Sequence, residues 1–282
     1  MKARWDLLLV PSMLVSMALL CISQYVFLKG SLHQDLGMGK FAPGLSLVNY
    51  SELASDGYYL ETLRLSVGVS LTATFFTLLL AFPVAYIIAR MQSHAGLVLL
   101  AAVVVSSFVS IVVKVLGLIL IFSANGPFNA LLLWLGLVDT PLSIVGSLTG
   151  VVLGLIHYSL GFAVLLFYSA VITVPRSLED AAALLGSTSL GVFRQVVLPL
   201  CLPALVAGAL VIFNVSMGGF TSTALIGAGK VITLPVLIQR TTLLENNFGM
   251  AAALAALLLA SVLVINFVSV VAVTRMRKGL VL

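Results

Sequence analysis

Charge is what this chain has least of: 8% of its 282 residues are Asp, Glu, Lys or Arg, against about a quarter in a soluble domain. That shortage excludes a soluble globular protein, and the 61% hydrophobic content makes it a polytopic membrane protein. Cysteine is nearly absent too. Cys21 and Cys201 stand far apart, in or beside apolar runs, so they read as small buried hydrophobes, not as a disulfide framework or metal pair. No phosphate loop of the form GxxxxGK(S/T) occurs, so this chain cannot itself hydrolyse ATP by that chemistry. HExxH, CxxC and GxSxG are missing as well, which leaves an intramembrane enzyme without a metal centre or nucleophile. No Asp or Glu lies within the core of an apolar run. An ion-coupled secondary transporter generally uses such carboxylates, so that class loses its usual machinery.

What is present is a series of apolar runs long enough to cross a bilayer, for which about 20 helical residues suffice. Lys2 and Arg4 precede the first, Leu7 to Leu28. It is too long for a signal-peptide core and lacks a small-residue cleavage site, so we read it as a retained span. The stretch from Lys29 to Tyr59 is expected to be a long external loop. A second span runs from Leu65 to Ala89. After a short turn with His94 comes a third, from Leu97 to about Leu120, with Lys114 near its outer end, where it can snorkel. Asn125-Gly126-Pro127 and Asp139-Thr140-Pro141 break the next stretch, whose middle suggests a short amphipathic surface helix. Spans four to six are expected at Ile144 to about Val174, Ala204 to Thr221 and Phe248 to Val273, and Arg275, Arg277 and Lys278 form a basic stop.

Six spans place both ends on one side. On it fall Lys2, Arg4, Arg90, Arg176, Arg194, Arg275, Arg277 and Lys278 against Asp6, Glu179 and Asp180; on the other side bases and acids cancel. Basic loops stay in the cytoplasm. Both termini are therefore expected there, and so is the segment Pro175 to Pro203.

That segment, SLEDAAALLGSTSLGVFRQVVLPLCLP from Ser177 on, is the one long polar-bearing stretch between two strongly apolar ones. Ser177, three residues before Asp180, has capping spacing, and LEDAAALL is rich in strong helix formers. Gly186 would stop the helix in the left-handed conformation. Ser187, Thr188 and Ser189 are candidate caps for a second short helix, expected to end before Pro199 and Pro203. The plainer alternative is a loop whose alanines and prolines merely punctuate two helices.

An acidic residue, two alanines, three variable positions, a glycine, then an aliphatic residue shortly before Leu-Pro: this pattern is met by Asp180, Ala181, Ala182, Gly186, Val196, Leu198 and Pro199. It resembles the coupling loop of permease subunits of binding-protein-dependent ABC importers. That family usually has glutamate where Asp180 stands, and Glu179 immediately precedes it. The resemblance runs from about Thr62 to the C-terminus and favours the polyamine (spermidine/putrescine)-type branch. It is carried by Pro83, Ala85, Tyr86 and Ala89-Arg90, by Asn125-Gly126, Asn129 and Leu135 to Leu137, and after the loop by Gly208, Phe213, Phe220, Leu225-Ile226-Gly227 and Gly249, Ala251 and Ala252.

The resemblance implies an all-α, six-span type I ABC importer (MetI-like) permease fold, with a first helix and external loop at 1–61 and a permease core at 62–282 carrying the coupling loop 175–203. It implies a multi-pass protein of the bacterial plasma (inner) membrane, forming the path for a small hydrophilic solute, with ferric iron or an organophosphonate as alternatives to a polyamine. The implied partners are an ATPase dimer, a second permease (identical or homologous), a periplasmic or lipid-anchored solute-binding protein and membrane lipid, with no nucleic acid. ATP and magnesium would be bound by the ATPase, so no cofactor is expected in this chain. Glu179, Asp180, Ala181, Ala182, Gly186, Leu198 and Pro199 would couple to the ATPase, with Asp180 facing it and Glu179 turned to solvent.

Polar residues inside spans must face other helices or a watery cavity. His157, Asn214 and Ser216 are such residues, and Asn266 in span six is another. An interhelical hydrogen bond is the simpler role for each. The resemblance places the translocation path near Met217-Gly218-Gly219-Phe220-Thr221, so His157, Asn214, Ser216, Met217, Phe220 and Thr221 are the candidate lining.

Overall fold

The computed structural model describes the backbone of residues 6–37 and 40–280, with side chains at 10–37 and 40–271. Among the described residues every regular element is helical. Six segments are long and apolar enough to cross a membrane: Val10–Ser31, Gly57–Arg90, Ile111–Trp134, Leu148–Val171, Ser189–Met217 and Phe248–Val271. The chain divides into two compact units, one of residues up to Leu63 with Leu234–Ser261, the other of Arg64–Thr233 with the residues from Val262 on.

The first unit opens with α1 (Asp6–Ser31), none of whose candidate span is buried. The expected external loop is not wholly irregular, since it contains α2 (Val48–Ser55). Asn49 at its start is buried and donates to the Ser31 and His33 carbonyls, both at 2.9 Å. A buried amide with two backbone acceptors orders a segment that composition alone marks as loop. Helix α3 follows at once (Gly57–Arg90), starting eight residues before the expected span. After α12 (Leu234–Leu243) the last helix, α13 (Phe248–Leu280), is capped from a distance. Asp35 accepts the Phe248 and Gly249 amides at 2.5 and 3.1 Å, and Asn247 accepts that of Met250 at 2.9 Å. Three free donors of the first turn are thereby satisfied, with negative charge at the positive end of the helix dipole.

In the second unit the expected third span is broken. Helix α4 (His94–Phe108) and α5 (Ile111–Phe122) are separated by Val109 and Ser110, both extended at ψ 135° and 133°. Ser107 bonds back to the Val103 carbonyl at 2.8 Å, a contact that competes with the helix ladder at the break. Lys114 thus lies in the first turn of α5, near the start of the Ile111–Trp134 segment and about 12 Å short of the helix's far end at the usual helical rise, not at the outer end of a span that begins at Leu97. The expected short helix exists as α6 (Pro127–Trp134), tied by Asn129, which is fully buried and bridges the Ser123 carbonyl with the Leu142 backbone.

Helix α7 (Leu148–Val171) is the hub. One part of the core joins Ala81, Phe82, Ala85 and Ile88 of α3 with Ala163, Val164, Phe167 and Val171 of α7. A side chain Cβ on Gly208 would sit 2.5 Å from the Phe167 ring, and one on Gly161 would sit 2.5 Å from Ser107 Oγ, so these glycines set how closely the helices approach. The inward face of α3 also carries a buried hydroxyl stripe, Ser66, Ser70, Thr74 and Thr77. Thr77 meets Ser159 of α7 at 3.1 Å, and Ser70 donates to Met217 Sδ at 3.6 Å.

Candidate coupling and translocation sites

Helix α8 (Arg176–Leu184) begins after Pro175, and no side chain caps it; Ser177 lies inside the first turn. Pro175 itself takes the cap position, its fixed φ setting the chain's entry to the helix, and Ser177 falls too late to cap it. Its other end is as the glycine implies. Gly186 has φ +87°, its amide reaches the Ala183 carbonyl at 2.9 Å, and the Ser187 amide reaches Ala182 at 3.0 Å. This pair of bonds is the Schellman closure. Thr188 then caps α9 (Ser189–Val192) by accepting the Gly191 amide at 3.2 Å.

The second short helix does not stop before the prolines. It passes through a π turn, Phe193–Val197, directly into α10 (Leu198–Met217), which contains both Pro199 and Pro203. Proline leaves a carbonyl one turn back without its usual donor, and a wide turn lets the chain continue, with the Leu198 amide reaching Phe193. Phe193 packs against Phe82 and Tyr86 of α3, ring centroids 5.5 and 5.1 Å apart.

Glu179 is turned inward, contrary to the sequence expectation. It pairs with Arg90 at the end of α3 and accepts the Tyr86 hydroxyl at 2.9 Å, and the side chains of Arg90 and Glu179 are only 16% and 12% exposed. Arg90 also donates to the Val174 carbonyl at 3.0 Å, and Arg176 to the Ala89 and Arg90 carbonyls at 3.3 Å each. An acid next to a basic helix end gains an ion pair by rotating in, and its neighbour, about 100° round the helix, must then point away. Asp180 is exposed, as are Ala181 and Gly186; Ala182 and Leu198 are half-buried and Pro199 is exposed. Beside Asp180 stand Leu184 and Leu185, 89% and 88% exposed, with Leu190 also out. The motif pattern does not single out this apolar patch. Its only signal was the leucine pair ahead of Gly186. In the sequence Tyr86, Arg90 and Arg176 likewise carry only resemblance or topology, because their partners lie far along the chain.

The six path candidates do not share one surface. His157 is exposed and lines a groove of about 560 Å³ with Ser106, Leu160 and Gly161. Asn214 is exposed and accepts the Asn266 amide at 2.9 Å, the interhelical bond that was its simpler reading. Ser216 and Met217 are buried, the hydroxyl of Ser216 without a hydrogen-bond partner. Between Met217 and Phe220 the helix breaks at Gly218 and Gly219, and α11 (Phe220–Gly227) begins, so the expected fifth span is α10 followed by a second helix. A Cβ on Gly219 would meet Leu155 at 2.6 Å. Phe220 is 37% exposed and Thr221 half-buried. A larger groove, about 740 Å³, runs between α3 and α7 with Arg64 at one end and Phe76 and Ile156 along it.

Comparison with known proteins bears on this arrangement. Residues 81–278 match the family described as binding-protein-dependent transport system inner membrane component. The chain is 31% identical over 211 residues to the spermidine/putrescine transport system permease protein PotB of Escherichia coli K12, covering 74% of this chain and 76% of that one. It is also 31% identical over 227 residues to the inner membrane ABC transporter permease protein YdcU of the same strain, covering 75% and 71%. Among solved structures it resembles a bacterial alginate ABC transporter in complex with an alginate pentasaccharide-bound periplasmic protein (TM-score 0.72, 19% identity, 95% and 93% covered). It also resembles the MetNI methionine ABC transporter in an inward-facing conformation (TM-score 0.60, 19% identity, 77% and 94% covered).

Proposed function

Because this chain belongs to the inner membrane components of binding-protein-dependent transport systems, we propose that it forms the path for a small hydrophilic solute, a polyamine or related amine, and couples to a separate ATPase through the 179–199 loop. It is a multi-pass permease subunit of an ABC importer, with the type I fold, and not an enzyme. The observation that carries the coupling reading is the two-helix hairpin α8–α9. It is closed by a left-handed glycine, tied to the end of α3, and presents Asp180, Leu184 and Leu185 uncovered. Exposed leucines on a loop that falls on the basic, cytoplasmic side of the chain suit a protein partner.

In this reading two permeases, identical or homologous, enclose a path within the 62–282 core. An ATPase dimer holding ATP and magnesium docks below, and a solute-binding protein delivers above. Both termini lie in the cytoplasm. Closure of the ATPase pulls the paired hairpins together and opens the path outward; hydrolysis reverses it. A path without carboxylates holds its solute weakly and so releases it, while selection rests with the binding protein. The polyamine assignment is supported by the similarity to PotB.

Proteoliposomes containing this chain, its permease partner and the ATPase test the reading with spermidine. Uptake should require both ATP and the binding protein. Uptake driven by a proton or sodium gradient without ATP would overturn it in favour of a secondary transporter.

A further inference from the structure

Helix α8 has no buried residue of its own. Apolar burial therefore does not fix its direction, and it is joined to its neighbours through short links at Pro175 and Gly186. Its ties to α3 are polar and reciprocal. Arg90, last in α3, takes the carbonyl that follows α7; Arg176, first in α8, takes the carbonyls that end α3; and Glu179 sets a negative charge against Arg90. Tyr86 and Arg90, one helical turn apart, both reach Glu179, and the guanidinium also lies over the Tyr86 ring at 5.9 Å from its centroid. Two contacts from one carboxylate to one face of α3 fix the rotation of α8 as well as its distance.

Helix α3 continues from this clamp without a break, and Ser70, five and a half turns up, touches Met217 at the edge of the Gly218–Gly219 break. A displacement of α8 held by this clamp moves α3, and α3 abuts the one place where α10 gives way to α11. Without the clamp the same displacement is absorbed at the two short links.

We infer that Glu179 is a positioning residue, which fixes the coupling helix to α3 so that movement imposed on α8 is passed to the α10–α11 break. This goes beyond the coupling reading and rests on it: Asp180 and the leucines meet the ATPase, whereas Glu179 never does.

The test uses the intact complex with its ATPase in nanodiscs, in a Cys21→Ser background that leaves only the buried Cys201. Leu225 on α11, 38% exposed, is replaced by cysteine as a reporter. Labelling by a membrane-impermeant maleimide is compared before and after trapping with ATP and vanadate. Trapping should change the labelling rate, and Glu179→Gln, which keeps the shape but drops the charge, should shrink that change at least fivefold while the ATPase still co-purifies and is still trapped. Glu179→Asp, which returns the charge against Arg90, should recover most of the change, which a merely disrupted loop would not. An undiminished change in Glu179→Gln overturns the clamp. Loss of ATPase from Glu179→Gln overturns it too, and makes Glu179 a direct contact. Failure of the unsubstituted complex to retain ATPase shows up before any variant, and removes the coupling reading along with the clamp.

Discussion

Replacing both Leu184 and Leu185 with glutamate is expected to weaken ATPase docking about a thousandfold, with membrane abundance and thermal midpoint unchanged. Burial of a leucine is worth roughly 1.5–3 kcal/mol, and each tenfold in affinity corresponds to about 1.4 kcal/mol. Losing two such anchors therefore accounts for about three decades even before the new charges are desolvated. The fold should not notice, because both side chains lie almost wholly outside it, and substitutions on an exposed surface typically shift stability by no more than about 0.5 kcal/mol. Titration of the solubilised variant with purified ATPase measures the effect. Wild-type affinity would move the contact away from the end of α8.

Valine at Gly186 should act by a different route. The residue has φ +87°, and a Cβ there would meet nothing within 4 Å, so the cost is conformational and not steric crowding. Left-handed backbone costs an ordinary residue about 1–2 kcal/mol, and a β-branched one resists it further. If the hairpin relieves that strain by opening, docking falls about thirtyfold by the same conversion. Asparagine tolerates the left-handed region, so Gly186→Asn should stay close to the parent in substrate-stimulated ATP hydrolysis while Gly186→Val loses it. Equal activity of the two would mean that the turn is not what the coupling depends on.

The spans and the hairpin were legible in the sequence because each rests on a local signal. Apolar runs give the membrane segments, and the glycine ten residues after Arg176 gives the left-handed turn and with it the Schellman closure. Thr188 is one of the three candidate caps its position suggests, and Asn214 makes the interhelical bond to Asn266 that a polar residue inside a span most simply makes. What escaped the sequence depends on partners distant in the chain. Whether Glu179 or Asp180 faces inward is decided by Arg90 and Tyr86, some ninety residues earlier. Asn49 orders a loop through carbonyls of Ser31 and His33, and Asp35 caps a helix that begins at Phe248. The break after Phe108 is hidden for another reason, since the apolar run resumes at once with Val109 and Ile111, whereas the double glycine at 218 and 219 marks the break after Met217 as a flexible segment. Proline misled in the opposite direction: a π turn carries the helix past Pro199 where punctuation suggested an end.

The most direct measurement places a photoreactive phenylalanine at Leu190, exposed beside the leucine patch, and irradiates the assembled complex in its membrane. The account predicts a crosslink from this position to the ATPase, with a yield that changes when ATP is trapped by vanadate. A crosslink only to lipid or to another copy of this chain, while the ATPase still co-purifies, would contradict it.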